Sequence, residues 1–282
     1  MRKGNMNLGD IRRIVKKSGT TFYWGMRVLP KEKSDAMFVM YAFCRIVDDI
    51  SDGKLEKTKK VQKLNKWKTE IENIYQNKKL TEPISHLLLP VIQEFRLQKK
   101  YFLEIINGMK MDARERIVSP SEKKLAVYCQ RVATAVGLLS IKIFGEDTKS
   151  SQIYAQKLGN AFQLTNILRD LQEDSERKRS YLPKQLLNKY KIKEVDPQRI
   201  LRHPNISNVC NDLADRAQQF FYEARIIVKK CNKETLRPAV IMCDLYEEIL
   251  NSLIKRGWDN LNEPIRIAKV KKFWLVCKNF II

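Results

Sequence analysis

SDAMFVMYAFCRIVDDISD, residues 34–52, reads as one helix with two chemically different faces. Tyr41, Arg45, Asp48 and Asp52 follow at steps of four, three and four, so their side chains share one face. Met37, Met40, Phe43, Cys44 and Val47 make the opposite face apolar. Ser34 has the chemistry of an N-cap, and Gly53 stands where such a helix stops. Carboxylates four residues apart lie roughly 6 Å apart along a helix axis and point the same way. Hard divalent cations, Mg²⁺ above all, take such oxygen ligands and complete their shell with water and substrate phosphate.

The pattern returns far downstream in GNAFQLTNILRDLQED, residues 159–174. Gln163, Asn166, Asp170 and Asp174 follow at steps of three, four and four, among Ala161, Phe162, Leu164, Ile167, Leu168 and Leu171. Polar side chains on a buried face need partners, and a metal-bound water or a diphosphate would supply them. Glu176-Arg177-Lys178-Arg179-Ser180-Tyr181-Leu182-Pro183 comes next. Cations beside acidic ligands make sense if a diphosphate lies between them, gripped bidentately by arginine. The alternative is a solvated charge run that closes a helix C-terminus. One pair of aspartates at this spacing is commonplace on helices. Two pairs, each with ordered polar residues on the same face, predict an enzyme that binds diphosphates through metal ions.

The rest of the chain is consistent with an all-α protein. It has 282 residues, 44% of them hydrophobic, with only ten glycines and nine prolines. No proline falls between Pro30 and Pro83 or between Pro120 and Pro183, and apolar residues in those blocks recur at three- and four-residue steps. No linker-like or low-complexity tract interrupts it, so residues 1–282 are expected to form a single domain. The opening Met-Arg-Lys-Gly lacks an apolar core and no run of about 20 apolar residues occurs, so neither a secretory signal nor a bilayer span is expected. Six cysteines without CxxC spacing predict reduced, mostly buried thiols of a cytoplasmic protein. His86 and His203 are too few and isolated for a zinc site.

The net charge of +22 is either lysine spread over solvated helix faces or an attraction to anionic membrane or diphosphate. Nucleic acid is not expected as a partner, because no recognition motif accompanies the charge. After Glu263 no acidic residue occurs. Arg266, Lys269, Lys271, Lys272 and Lys278 interleave there with Ile267, Val270, Phe273, Trp274, Leu275 and Phe280. The basic-apolar segment 265–282 suits peripheral contact with an anionic membrane, on the inner face of the cytoplasmic membrane. It equally suits a last strip packed on the domain.

The order Phe22, Leu29-Pro30, then YAFCRIVDDISDG (41–53), YCQRVATAVGLLSIKIFG (128–145) and FQLTNILRDLQEDSERKRSYLP (162–183) resembles the squalene/phytoene synthase family. The resemblance runs from about Ser18 to Trp258. GLLSIKIFG and the closing LRPAVIMCDLYEEILNSLIKRGW (236–258) are most similar to members that make presqualene diphosphate in bacterial hopanoid pathways. This resemblance implies an all-α prenyl-synthase fold around a central cavity. It also implies 1′-2-3 condensation of two farnesyl diphosphates, with release of pyrophosphate. Asp48, Asp52, Asp170 and Asp174 would hold about two or three Mg²⁺ ions together with the diphosphates. NADPH is not expected, and a downstream pathway enzyme is a conceivable partner.

Residue by residue, the resemblance makes Tyr128, Arg45 and Tyr41 catalytic, with Arg45 on phosphate and Tyr128 near the proton that is lost. Ser18, Phe22, Gln163, Asn166, Arg169, Arg179 and Tyr181 join Tyr41 and Arg45 as substrate-binding positions, and Met109 to Asp112 form part of the cavity wall. Two departures stand out. The family's Val-Ala-Gly reads Val132-Ala133-Thr134, which is expected to change the cavity shape slightly. Gly19-Thr20-Thr21 separates Ser18 from Phe22. Competing readings are a squalene, dehydrosqualene or phytoene synthase, or a non-catalytic assembly factor of the same fold. The complete acidic set argues against the last.

Overall fold

The apolar periodicity resolves into helix after helix, and among the described residues the only strand-like contact is an isolated bridge between Val118 and Ser180. A computed structural model describes residues 6–18, 20–114, 116–261, 263–265 and 267–280. Gly19 and Arg266, both part of the sequence expectations, lie outside them, as do residues 281–282 of the C-terminal segment. Helix α1 (Leu8–Lys17) opens with a reciprocal cap between Asn7 and Asp10, and a short α2 (Phe22–Arg27) follows. The first acidic helix is α3 (Lys31–Asp52). It starts three residues before the expected Ser34 cap. Pro30, extended at φ −51° and ψ 150°, sets the entry, and Ser34 sits in the first turn with its N–H on Pro30 O at 2.9 Å.

Helices α4 (Lys57–Tyr75), α5 (Ser85–Glu94) and α6 (Lys99–Arg114) pack outside and beside α3. Phe43 of α3 meets Trp67 of α4 and Phe102 of α6 edge-on, with ring centroids 5.6 and 5.3 Å apart. Such aromatic pairs contribute about 0.5–1.5 kcal/mol beyond their area burial. Next come α7 (Glu122–Cys129), one π turn (Gln130–Thr134) and α8 (Ala135–Phe144), which run on as one rod until Gly145 ends it at φ +92°. By length and composition alone this rod is apolar enough to cross a membrane, as the core helices of compact proteins also are. Here it lies between α6 and α9 (Lys149–Arg169).

The second acidic stretch is also not one helix. Helix α9 ends at Arg169, Asp170 breaks the path at φ −101° and ψ 14°, and α10 (Leu171–Glu176) continues. The N–H of Asp174 still reaches Asp170 O at 2.8 Å, so the four-residue register survives the bend. Short α11 (Lys184–Lys189) and α12 (Pro197–Leu201) lead to α13 (Ile206–Ile227), which packs along α9. Helix α14 (Arg237–Arg256) closes the bundle against α2 and α9, and α15 (Lys269–Cys277) lies on its outer side. One contiguous apolar core runs from Ile11 to Leu275.

Candidate active site

A cavity with about 1090 Å³ of empty space, part of it open to solvent, lies between α2, α3, α8, α9, α14 and the π turn. Its wall is apolar: Phe22, Met26, Met37, Met40, Ile141, Phe144 and Met242 are representative. Tyr41, Gln163 and Asn166 are polar lining residues; Asn166 stands one helical turn before Asp170 on α9, and Tyr41 two turns before Asp48 on α3. The periodicity of both acidic helices explains this placement. On each, the face that ends in aspartates begins as cavity wall.

Beyond Tyr41 and Asn166 the carboxylates gather. Burial, then the neighbouring Asp52, pushes Asp48 up to about 7. Burial, then Asp170, pushes Asp174 up to about 7 as well. Asp52 is different. Burial raises it, but hydrogen bonds and charge from Arg179 and Arg177 outweigh that and hold it below the usual carboxylate range. Arg177 Nη1 lies 2.5 Å and Arg179 Nη1 2.7 Å from Asp52. The cationic loop is therefore not a solvated charge run: Arg179 is buried and also donates to Ser51 O. A left-handed Lys178 (φ +59°) and the Val118–Ser180 bridge hold the loop in this turn.

Each remaining arginine lies on an aspartate. Arg45 spans Asp48 (3.4 Å) and Asp49 (2.9 Å). Arg169 holds Asp170 with two bonds of 2.7 Å. Asp174 has no cation within ion-pair distance among the described residues.

Tyr128 and Tyr181 are stacked, 4.9 Å apart at 24°, and both hydroxyls donate to buried Asp112, at 2.9 and 2.6 Å. Burial pushes Asp112 up to about 6 despite the hydrogen bond from Tyr181, while burial and then Asp112 itself raise Tyr128 well above a normal phenol. Neither tyrosine lines the cavity; Tyr128 sits one turn before Val132, which does. Ser18 does not line it either. Its Oγ receives the Tyr41 hydroxyl at 3.2 Å and donates to Val15 O at 2.7 Å. Phe22 does line it, with its ring 6.0 Å from Phe162 and 5.7 Å from Tyr246. Thr134 is not among the lining residues, so its added bulk does not narrow the cavity directly.

Sequence reading passed over Tyr246, put Asp112 in the cavity wall, which residues 109–112 do not line, and gave Arg177 no partner. Asp112 joins the tyrosine pair, and its signal was an acid at a position that the period of Phe102, Ile105, Ile106 and Met109 reserves for an apolar side chain. Tyr246 stacks on Phe162 at 4.1 Å and is one inward step beyond Ala239 and Met242. Arg177 shares Asp52 with Arg179, which no local pattern announces.

The donor set fits Mg²⁺. Asn166 Oδ1 is buried with no hydrogen-bond partner, Asp174 is uncompensated, and all the available ligands are hard oxygens. Among the described residues no three metal-binding side chains converge as a finished cage. An ion here would complete its shell from substrate oxygens and water.

The C-terminal segment packs on the domain in part and leaves one side of α15 outward. Leu275 is buried, and Lys271 and Lys278 pair with Glu248 and Asp244 of α14, at 2.5 and 3.0 Å. Val270, Phe273 and Trp274, at steps of three and one along α15, face outward with exposures of 80, 62 and 59%. Lys269 and Lys272 have no acidic partner among the described residues.

Comparison with known proteins gives a consistent result. A squalene/phytoene synthase family model matches residues 15–274. The presqualene diphosphate synthase of Zymomonas mobilis is 37% identical over 264 residues, covering 92% of this chain and 88% of the relative. The presqualene diphosphate synthase of Sinorhizobium fredii is 35% identical over 254 residues, 90% of each chain. A dehydrosqualene synthase crystallised with a ligand superposes with a TM-score of 0.83 at 24% identity, over 97% of this chain and 95% of that one. The last comparison carries the fold alone.

Proposed function

This chain belongs to the squalene/phytoene synthase family, and from that premise we propose that it is a prenyl transferase acting on farnesyl diphosphate. It joins two molecules, C1′ of the donor to C2 and C3 of the acceptor, giving presqualene diphosphate and pyrophosphate. The observation that carries this reading is that the helix faces lining an apolar cavity run on, through Tyr41 on α3 and Asn166 on α9, into a cluster of aspartates paired with arginines. The fit is to an amphiphile with a long apolar tail and a diphosphate head.

Asp48 and Asp52 on α3, with Asp170 and Asp174 at the α9–α10 bend, would hold Mg²⁺. When bound, the metal neutralises charge on the departing pyrophosphate. The chain's own residues do the rest. Arg45, Arg177 and Arg179, each paired with an aspartate in this structure, move onto phosphate oxygens when a diphosphate arrives, because the anion offers stronger bidentate partners. Gln163 and Asn166 orient the head through their amides. The methionine-rich wall excludes water from the allylic cation. Tyr128 donates its hydroxyl to the Asp112 carboxylate, so it would take up the proton lost on cyclopropane closure only as its own proton passes to Asp112.

The test is product identification. Purified protein with farnesyl diphosphate and Mg²⁺ should accumulate a C30 diphosphate by mass spectrometry, unchanged by NADPH. Squalene formed only with NADPH would make it a squalene synthase. A C40 hydrocarbon from preferred geranylgeranyl diphosphate would make it a phytoene synthase.

Access to lipid substrate is the role proposed for α15. Its outward Val270, Phe273 and Trp274 enter the membrane interface while Lys269 and Lys272 contribute about 1 kcal/mol each near anionic headgroups. Leu275 keeps the helix docked, so Phe273→Ser with Trp274→Ser should leave folding intact. Binding to phosphatidylglycerol vesicles in a sedimentation assay should fall at least about tenfold. Equal sedimentation of variant and wild type would remove α15 from this role.

A further inference from the structure

A second concentration of charge lies away from the acidic mouth, in a groove between α1, α2 and the start of α3. Arg12, Arg13 and Lys16 come from α1, Arg27 from α2 and Lys31 from α3, around a floor of Tyr23, Leu29, Ser34 and Phe38. Tyr23 and Phe38 stack 6.1 Å apart at 23°, and the Arg27 guanidinium lies over the Tyr23 ring at 5.7 Å. Ser34 and Asp48 are fourteen residues apart on α3, about 21 Å along the helix axis. The groove is therefore separate from the diphosphate site, although on α2 and α3 it takes residues adjacent to those that line the cavity.

Like charges that converge on one depression repel each other unless something negative sits among them. Among the described residues two carboxylates pair with them. Asp35, 8% exposed, binds Arg12 Nε at 2.9 Å and Lys31 Nζ at 3.1 Å. Asp10 reaches Arg13 only at 3.7 Å. Lys16 and Arg27 have no carboxylate within ion-pair distance among the described residues. Asp35 does not quench the groove; it fixes two of the five cations in orientation, so a ligand that binds them orders less side chain. Arginines presented this way suit tetrahedral oxyanions, which accept several charge-assisted hydrogen bonds at once. The concave shape suits a discrete anion better than a flat lipid surface, and the paired rings give it an apolar ledge.

We propose that this groove is a binding site for a discrete phosphorylated anion carrying two or more charges, inorganic pyrophosphate being the simplest member of the class. The site does not depend on which prenyl product the enzyme makes. Its helices link it to the cavity. On α2, Tyr23 and Arg27 face the groove while Phe22 and Met26 line the cavity; on α3, Ser34 and Phe38 face the groove while Met37 and Tyr41 line the cavity. An anion here ties α1 to α2 and α3 and stiffens the wall on which Phe22 and Tyr41 stand.

Isothermal titration with inorganic pyrophosphate, in EDTA so that metal-dependent binding at the mouth is silent, tests the proposal. Wild type should bind, and Arg13→Glu with Arg27→Glu should weaken binding at least tenfold while the circular dichroism spectrum is unchanged. Arg45→Gln with Arg179→Gln, at the mouth, should bind in EDTA as wild type does. Should the charge reversals unfold the protein, Arg13→Gln with Lys16→Gln at exposed positions of α1 serves instead and should weaken binding at least threefold. Three results would each overturn the proposal. One is no pyrophosphate binding by wild type in EDTA. Another is binding lost in the mouth variant and kept in the groove variant. The third is a groove variant that loses phosphatidylglycerol vesicles while keeping pyrophosphate, which would make the groove a membrane contact.

Discussion

Asp48→Asn and Asp174→Asn should each lower turnover at saturating Mg²⁺ and farnesyl diphosphate by at least about 10³-fold, because a neutral amide is a poor ligand for a hard divalent cation. The same substitutions should not weaken the metal-free fold. The Asp48 carboxyl is pushed up to about 7 from an ordinary value of 3.8. The folded state therefore holds this proton more tightly than the unfolded chain does. Stability from Asp48 is fully present below about pH 4, is lost as pH rises through about 7, and leaves a destabilising charge above that. The displacement sets a ceiling of roughly 4 kcal/mol. The side chain is 38% exposed, and solvent screening reduces the effect to about 1 kcal/mol. Urea denaturation in EDTA at pH 8 should find Asp48→Asn as stable as wild type or more so, with the difference vanishing near pH 4. A variant that keeps near wild-type turnover would remove Asp48 from the metal set, and one that unfolds in EDTA would make its role structural.

The two acidic faces were legible because helix period and chemistry coincide in them. Steps of three and four place Tyr41, Arg45, Asp48 and Asp52 on one side whatever the neighbouring helices do. The same arithmetic located Gln163, Asn166, Asp170 and Asp174, although it could not show that α9 ends at Arg169 and restarts at Leu171. The bend costs no register, so the pattern in the sequence is the same with or without it. Contacts between distant segments were not legible. Arg177 and Arg179 meet Asp52 from more than a hundred residues away, and nothing in a basic run says which acid it will find. Ser18 was expected against substrate, but its hydroxyl meets Tyr41. Lys271 and Lys278 suited an interface or a packed strip equally, and it is the carboxylates of α14 they pair with. In each case the residue type was informative and the partner was set by packing.

The π turn at Gln130–Thr134 is where packing and site chemistry meet, and two glycines that face it should respond differently to the same added methyl group. A Cβ on Gly159 would lie 2.9 Å from both Cα and N of Thr134 and 3.1 Å from the carbonyl carbon of Ala133. All three are backbone atoms, so relief requires moving the turn itself. Overpacking of this kind costs about 1–3 kcal/mol, against a gain of about 1 kcal/mol in helix propensity for alanine. Gly159→Ala should therefore lose up to about 2 kcal/mol by urea denaturation. Its turnover should also drop at least about tenfold, since the displaced turn carries Val132 and Ala133 of the cavity wall and begins two residues after Tyr128. On Gly108 the nearest atoms are Val132 Cγ1 at 2.6 Å and Arg131 Cβ at 3.0 Å, side-chain carbons of which the closer moves by rotation about χ1. Gly108→Ala should keep its stability within about 1 kcal/mol, because propensity offsets the clash. It should instead raise KM for farnesyl diphosphate, as Val132 turns into the cavity. Equal stability losses in the two variants would show that the turn yields as easily as a valine side chain, and that its widened geometry does not hold the cavity open.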